Sequence, residues 1–487
     1  MEQAAPLLPN PNEQSPPEYS IVLASDSSRP QSRLQRYQSS WERFRAEYLC
    51  LATLLTILPR YIQPGGRKAF STGSKTPTAY LDAVRGYAAF FVFLYHGWQP
   101  TSWVQKLPII RVFFYGGAGM VALFFIISGY VLSYRMLMLM HKKQSSRLLD
   151  AISSSTFRRW LRLYGSTAMA TLFASFWVYS GWFNPHDGLQ QATVLGQLWN
   201  WFLDALVTSD PFANLDGWMH PGLFYTRYLA QMWTIPLEYR GSIALFVFCA
   251  ASAKMSVRGR MIFLWVVVLV CYFWRAVYVA EFLMGMFIAE LSFIRYPERL
   301  GGPRLPTSEV LEEKLSARTK FWKIWRAVTS TIGSCIALVI GLLLLSQPDP
   351  GRTETVFPHQ YLVWLVPNWY GEAYYTFWLS WGAFLVILAL DSCPMLQTPF
   401  KWSFSQYIGD LSFGLYAMHI IFIQGLYRPV FLPWQATHLG DSYLAYTLPV
   451  ILITIIVICF ADYFTRVDKC VVRFARWLQT RTFTKWE

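Results

Sequence analysis

The sequence predicts an all-α polytopic membrane protein with about ten transmembrane helices and both termini in the cytosol. The first observation is composition: 54% of the 487 residues are hydrophobic, only 14% are charged, and the mean hydropathy is +0.29. Soluble chains carry about a quarter charged residues. The second is a series of long apolar stretches, and the third is the uneven distribution of Lys and Arg among the loops. The net charge of +14 is therefore assigned to cytosolic loops and not to nucleic-acid binding.

The ends of the chain differ in character from its centre. Residues 1–45 are rich in Pro, Ser, Gln and Arg and are predicted to be a disordered cytosolic tail. Residues 46–79 are predicted to form an interfacial helix and a linker, because the apolar part is short for a bilayer core of about 30 Å. Residues 80–464 are predicted to form the ten-helix membrane domain. Residues 465–487 are predicted to be a basic cytosolic tail.

Ten apolar stretches are predicted to cross the membrane. They lie near 80–98, 112–134, 164–183, 232–252, 261–276, 278–294, 327–346, 373–390, 406–427 and 443–462.

The loops between these stretches alternate in charge. Loops assigned to the cytosol contain several Lys or Arg each, whereas those assigned to the outer side contain one Arg each. This alternation follows the positive-inside rule and fixes the predicted orientation. The basic segments are 139–162, 254–260, 295–326 and 466–487, and the others are 184–230, 347–371 and 428–442.

The first predicted span carries three ionisable residues, Asp82, Arg85 and His96. The eleven-residue step from Arg85 to His96 returns within about 20° of the same helix face, about 16 Å further along the axis. Ionisable groups at membrane depth are costly and usually mark a functional path. The sequence therefore predicts a polar stripe, with Arg85 toward the cytosol and His96 near the outer end.

Two further runs contain small or basic residues. Residues 115–130 begin with glycines and end in Phe-Phe-Ile-Ile-Ser-Gly-Tyr, so Ser128 and Gly129 either line a channel or let a neighbouring helix approach closely. Arg158 and Arg162 share a helix face at the cytosolic start of the third span. Paired guanidinium groups suit phosphate oxygens, although anchoring at the membrane surface explains them equally.

Two later runs complete the set. Glu238, in Trp-Thr-Ile-Pro-Leu-Glu (233–238), is predicted at the outer entrance of the fourth span, at a depth similar to that of His96. It could orient a histidine or bind a hydroxyl, or it could simply pair with Arg240 or Arg227. Tyr416 and His419 are three residues apart in 411–419 and can meet on a helix.

Together these runs resemble the motifs of the membrane acyltransferase-3 family, in the form of its fungal-type branch. The matches are an Arg and a His separated by ten residues after Leu-Asp, a Gly-rich entry to Phe-Phe-x-x-Ser-Gly, an Arg-Arg-x-x-Arg run and Trp-Thr-x-x-x-Glu. The family usually has a proline after the arginine run, where this chain has Gly165.

The resemblance implies an integral membrane O-acyltransferase that moves an acyl group, such as acetyl, from acyl-CoA to a hydroxyl of a small lipophilic acceptor. Arg85 and Glu238 would serve catalysis with His96, which would act either as general base or as acyl carrier. Arg158 and Arg162 would hold the phosphates of CoA, and the acceptor would be a secondary metabolite or, alternatively, a cell-wall or lipid-linked sugar. No metal and no bound cofactor are expected. A proton-coupled transporter is the rival class, although the sequence shows no duplicated halves.

Overall fold

The computed structural model describes residues 58–72, 76–98, 107–211, 226–300, 317–348 and 356–484. The predicted tail over 1–45, and the predicted interfacial helix up to residue 57, lie outside these ranges. Both therefore stay predictions.

The described residues form helices joined by turns, and within those ranges there is no strand. Each of the ten predicted spans overlaps a helix, so the apolar pattern located the helices well. The main helices are α1 (Gly66–Thr72), α2 (Ala79–Gly97), α3 (Gly117–His141), α4 (Ser145–Tyr179), α5 (Val194–Thr208), α6 (Thr234–Ala251), α7 (Val257–Phe273), α8 (Val277–Arg295), α9 (Ala317–Leu345), α10 (Thr376–Ser392), α11 (Ser403–Asp410), α12 (Ser412–His438) and α13 (Thr447–Thr482).

Four of these helices, α3, α8, α12 and α13, are long and apolar enough to cross a membrane. A fifth candidate is formed by α10 together with Pro394–Lys401, two helical segments that meet at a bend of 102°. The remaining predicted spans are helical but fall short of this standard in length or hydropathy. Ten crossings with both termini in the cytosol therefore stay a prediction.

Two helices are much longer than a bilayer requires. Helix α4 has 35 residues and α13 has 36 residues, which corresponds to about 52–54 Å at 1.5 Å per residue. A span needs only about 20 residues. The structure therefore differs from the sequence-based division at two places. Most of the predicted loop 139–162 belongs to α3 and α4, and the predicted tail from residue 465 continues α13 without a break to Thr482.

Helix α2 crosses α11 and the start of α12 at very short distance. A methyl group on Gly86 would collide with the backbone of Ile408, and one on Gly409 would collide with the backbone at Asp82. Only glycine permits such an approach. The crossing also brings Arg85, the residue before Gly86, close to α12. Its Nε atom lies 3.0 Å from the hydroxyl oxygen of Ser412.

An ion-pair cluster joins the first described residues to the last helix. Arg60 donates from Nε to Asp462 at 2.7 Å and from Nη1 to Asp410 at 2.7 Å. Asp462 is fully buried and also accepts from Arg466 at 2.8 Å. Because a buried carboxylate needs such partners, Arg60 fastens the segment before α1 to α11 and α13.

Helices α3 and α8 also pack through glycines. A side chain on Gly129 would overlap the carbonyl group of Phe282, and one on Gly285 would overlap the carbonyl oxygen of Ile126. The two backbones thus touch at this crossing, as small residues allow between apolar helices. Of the two interpretations of Gly129, close packing is therefore the one the structure supports; it is buried and does not line a channel.

We predict that Gly129→Ala destabilises the purified protein, because the added methyl group has no space at the α3–α8 crossing. Overpacking of this kind costs about 1–3 kcal/mol, so the melting temperature in detergent should fall clearly. The matched control is Gly333→Ala on α9, where a methyl group meets no atom within 4 Å. That change should leave the melting temperature equal or slightly higher. A Gly129→Ala protein as stable as the control would contradict the packing described here.

Candidate active site

A cavity of about 800 Å³ is lined by residues of α1, α2, α3, α4, α6, α11, α12 and α13. One part of its wall is apolar and contains Val121, Phe124, Ile127 and Ile235. The rest is strongly charged, with six Lys or Arg side chains and four carboxylates, so cations are in excess. The charged residues are Asp82, Arg85, Arg159, Arg162, Glu238, Asp410, Asp468, Lys469, Arg473 and Arg476.

Arg85 lies on the wall formed by α2, as the polar stripe predicted. Its guanidinium donates to Ser412 and lies 3.5 Å from a carboxylate oxygen of Asp82, one turn earlier on the same helix. Asp82 is about half exposed, and Arg85 about one third. The guanidinium group therefore keeps donors available to a molecule in the cavity.

Glu238 forms the centre of a second polar group. Its Oε1 atom accepts from Arg159 at 2.8 Å and from Ser128 at 3.1 Å. Arg159 also donates to Ser242 at 2.8 Å, one turn further along α6. Ser128, Glu238 and Arg159 all line the cavity, so three helices present hydrogen-bonded polar groups at one place.

The predicted basic pair on α4 is one residue out of register. Arg158 does not line the cavity; it donates to the hydroxyl and carbonyl oxygens of Ser154 on its own helix. Arg159 lines the cavity together with Arg162. The predicted pair, Arg158 and Arg162, is four residues apart, and the observed pair, Arg159 and Arg162, is three residues apart. Either spacing places both residues on one helix face. The sequence could not distinguish them, because the rotation of α4 about its axis is set by its neighbours.

Glu238 is placed with the arginines and not with His96. The sequence put it near the outer end of the protein and offered Arg240 or Arg227 as structural partners. In the structure the carboxylate of Glu238 pairs with Arg159. Among the described residues there is no contact between Glu238 and His96, whose ring packs against Tyr95 and His419. A partner supplied by a distant helix cannot be recognised from a single sequence.

His96 lies at the end of α2, outside the cavity wall, and packs against a second histidine. The ring centroids of His96 and His419 are 5.3 Å apart. His419 is fully buried, and its Nδ1 lies 2.9 Å from the carbonyl oxygen of Tyr416. Since a carbonyl only accepts, Nδ1 carries the proton and Nε2 is an acceptor. That Nε2 atom is buried and has no hydrogen-bond partner among the described residues.

Tyr416 separates the cavity from the two histidines. It lines the cavity, and its ring centroid is 6.0 Å from that of His419. The phenol oxygen lies 2.8 Å from the hydroxyl of Thr234 and donates to the carbonyl oxygen of Gln231. Ring contacts therefore join the cavity residue Tyr416 through His419 to His96, and both Tyr416 and His419 belong to the sequence motif at 411–419.

Comparisons with known proteins identify the family of the chain. The profile of the acyltransferase domain family matches residues 78–466, which is most of the chain. An O-acetyltransferase of Phomopsis amygdali is 28% identical over 83% of this chain and 85% of its own length. Acyltransferases of a Phoma species and of Cochliobolus lunatus are 25% and 24% identical, over 71% and 76% of this chain and 82% and 87% of their own lengths. No solved structure matches the chain.

The described residues form helices around a polar cavity, and acyltransferases match the chain along most of its length, so the chain is itself an acyltransferase. More particularly, it belongs to the acyltransferase-3 family, as the motifs in the sequence indicated.

Proposed function

We propose that the protein is an integral membrane O-acyltransferase that moves an acyl group, such as acetyl, from acyl-CoA to a hydroxyl of a small lipophilic acceptor. The observation that carries the proposal is the cavity, which has an excess of cations at one part of its wall and apolar side chains at another. Such a site suits a donor with an anionic nucleotide end and an uncharged thioester end. The Phomopsis amygdali relative is named an O-acetyltransferase, which supports a hydroxyl acceptor and a short acyl group.

In the proposed reaction, His96 removes the proton from the acceptor hydroxyl. The acceptor oxygen attacks the thioester carbonyl carbon, the carbon–oxygen bond forms, and the carbon–sulfur bond breaks. The CoA thiolate leaves and takes the proton from the imidazolium of His96. Arg85 lies about 16 Å from His96 along α2, so it binds the donor in the cavity and does not contact the reacting carbonyl group.

A two-step form of the reaction uses the same residues. In that form an imidazole nitrogen of His96 attacks the thioester carbonyl carbon, the carbon–sulfur bond breaks, and the CoA thiolate takes the proton of the other imidazole nitrogen. The acceptor oxygen then attacks the acyl-imidazole, the carbon–nitrogen bond breaks, and the acceptor proton returns to His96. Tyr416 and His419 lie between the cavity and His96 in either form. Rapid quenching of the purified protein with radiolabelled acetyl-CoA distinguishes the two, because only the second leaves label on the protein.

The most direct test of the activity is CoA release from acetyl-CoA by the purified full-length protein. Activity that depends on a lipophilic extract of the parent strain would support a small-molecule acceptor. Comparison of all metabolites in a deletion strain and its parent would then identify the acceptor as the compound that loses an acyl group. Absence of CoA release with any extract would contradict the proposal.

We predict that His96→Ala lowers kcat by about 10²- to 10⁴-fold, which is the usual contribution of a general base. The measurement is CoA release at saturating donor, together with the melting temperature of the variant. His438→Ala is the matched control, because His438 is exposed on the last turn of α12 and bonds only to its own helix. A folded His96→Ala protein with the kcat of the control would remove His96 from the reaction.

We predict that Arg85→Ala raises the KM for acetyl-CoA by at least about tenfold, or about 1.4 kcal/mol. Arg85→Lys should recover only part of this loss, since an ammonium group cannot reproduce the planar fork that reaches Ser412 and the donor together. Arg147→Ala, an exposed residue near the start of α4, serves as control. An unchanged KM in both Arg85 variants would count against its proposed role.

We also propose the membrane arrangement that the loops indicate, with ten crossings and both termini in the cytosol. A cysteine introduced at Gln360 or Thr437 should then react with an impermeant thiol reagent added from the outer or lumenal side. One introduced at Ser145 should react only after permeabilisation. Labelling is measured relative to the parent protein, whose exposed Cys470 sets the background. Reaction of position 145 from the outer side would overturn the orientation.

A further inference from the structure

The part of α13 that extends past a normal membrane span turns one face toward the cavity. The residues on this face recur every three or four positions, which is the spacing of a single helix face. They are Thr465, Asp468, Lys469, Val472, Arg473 and Arg476. The segment predicted to be a basic tail is therefore a wall of the site.

The positive charge on this face is only partly balanced. Lys469 pairs with Asp410 at 2.8 Å. Arg473 bonds to the carbonyl oxygen of Lys469 and to the sulfur of Cys470, both on its own helix, and Arg476 is exposed. In the described part of the chain neither Arg473 nor Arg476 forms an ion pair.

The facing helix α4 adds further cations. Arg162 is exposed to the cavity and forms no ion pair within the described ranges. Arg158 lies near enough to Arg476 and Arg135 for their like charges to repel one another. Three carboxylates of the cavity, those of Asp82, Glu238 and Asp410, pair with cations. The fourth, Asp468, accepts from Ser166 at 2.5 Å and forms no ion pair among the described residues.

We infer that Arg162, Arg473 and Arg476 bind the phosphate groups at the nucleotide end of the acyl-CoA donor. The inference rests on the proposed function, and it assigns the donor's orientation within the cavity. Guanidinium groups form paired hydrogen bonds with phosphate oxygens, and these three line the cavity without an ion pair in the described ranges, so their charge is available to an anion. The thioester end then points along the cavity toward Arg85 and Tyr416, away from α13.

The test is equilibrium binding to the full-length protein in detergent, with two probes. One probe is CoA, and the other is adenosine 3′,5′-diphosphate, which carries phosphates of the nucleotide end without the thiol arm. The variant is Arg473→Ala/Arg476→Ala, whose side chains are exposed and pack against no core. We expect Kd for both probes to rise at least about tenfold, and we expect the salt dependence of CoA binding to become weaker.

The control is Arg481→Ala, which removes an exposed arginine from the same helix beyond the cavity. Its Kd for both probes should equal that of the parent. Arg476→Glu provides a second variant, and it should weaken CoA binding more strongly because it places a negative charge at the phosphate site.

Two results would overturn the inference. In the first, the parent protein binds and uses acetyl-CoA, and the double variant binds CoA with the same Kd as the parent. The proposed function would then stand, but the arginines would not be the phosphate site. In the second, the double variant keeps its CoA affinity but loses binding to vesicles that contain phosphatidylserine, which would assign the arginines to lipid headgroups. A parent protein that binds neither probe would refute the CoA donor itself, and this site with it.

Discussion

A guanidinium group buried among apolar helices must have a carboxylate beside it, and the pair of Arg159 and Glu238 meets this requirement at the centre of the molecule. The two side chains join α4 to α6 at 2.8 Å, while Ser128 extends the group to α3 and Ser242 fixes the guanidinium from its other side. Removing one partner of such a pair leaves an uncompensated charge, which typically costs about 3–5 kcal/mol. The relative placement of these three helices, and with it the shape of the cavity, follows from this one interaction.

The close crossing of α2 and α11 supplies the other fixed point. Because glycines at 86 and 409 let the backbones touch, the neighbouring Arg85 is held by Ser412 and projects into the same cavity as Glu238. The polar stripe on α2 is thereby divided into two environments. Its Arg85 end belongs to the charged cavity, whereas its His96 end belongs to a buried group with His419.

The sequence predicted the positions of the helices and the helix face that carries Arg85, because both depend on local pattern. The rotation of each helix about its axis and the partners of side chains on distant helices could not be predicted from the sequence. Arg158 and Arg159 are adjacent, and only contacts with neighbouring helices decide which of them faces inward. Glu238 was assigned to the depth of His96 because the start of α6 was treated as a membrane boundary. For Gly129 the sequence allowed either close helix packing or a position in a channel wall. The extended α4 and α13 were divided at the limits of hydropathy, since nothing in composition shows that a helix continues into water.

The contact between Arg60 and Asp462 has a consequence for the order in which the protein is made. These residues are 402 positions apart in the chain, yet they form a direct ion pair. At a synthesis rate of about 5–20 residues per second, Arg60 waits roughly 20–80 seconds before its partner leaves the ribosome. Its other partner, Asp410, also lies late in the chain, so Arg60 forms neither ion pair until most of the protein has been made.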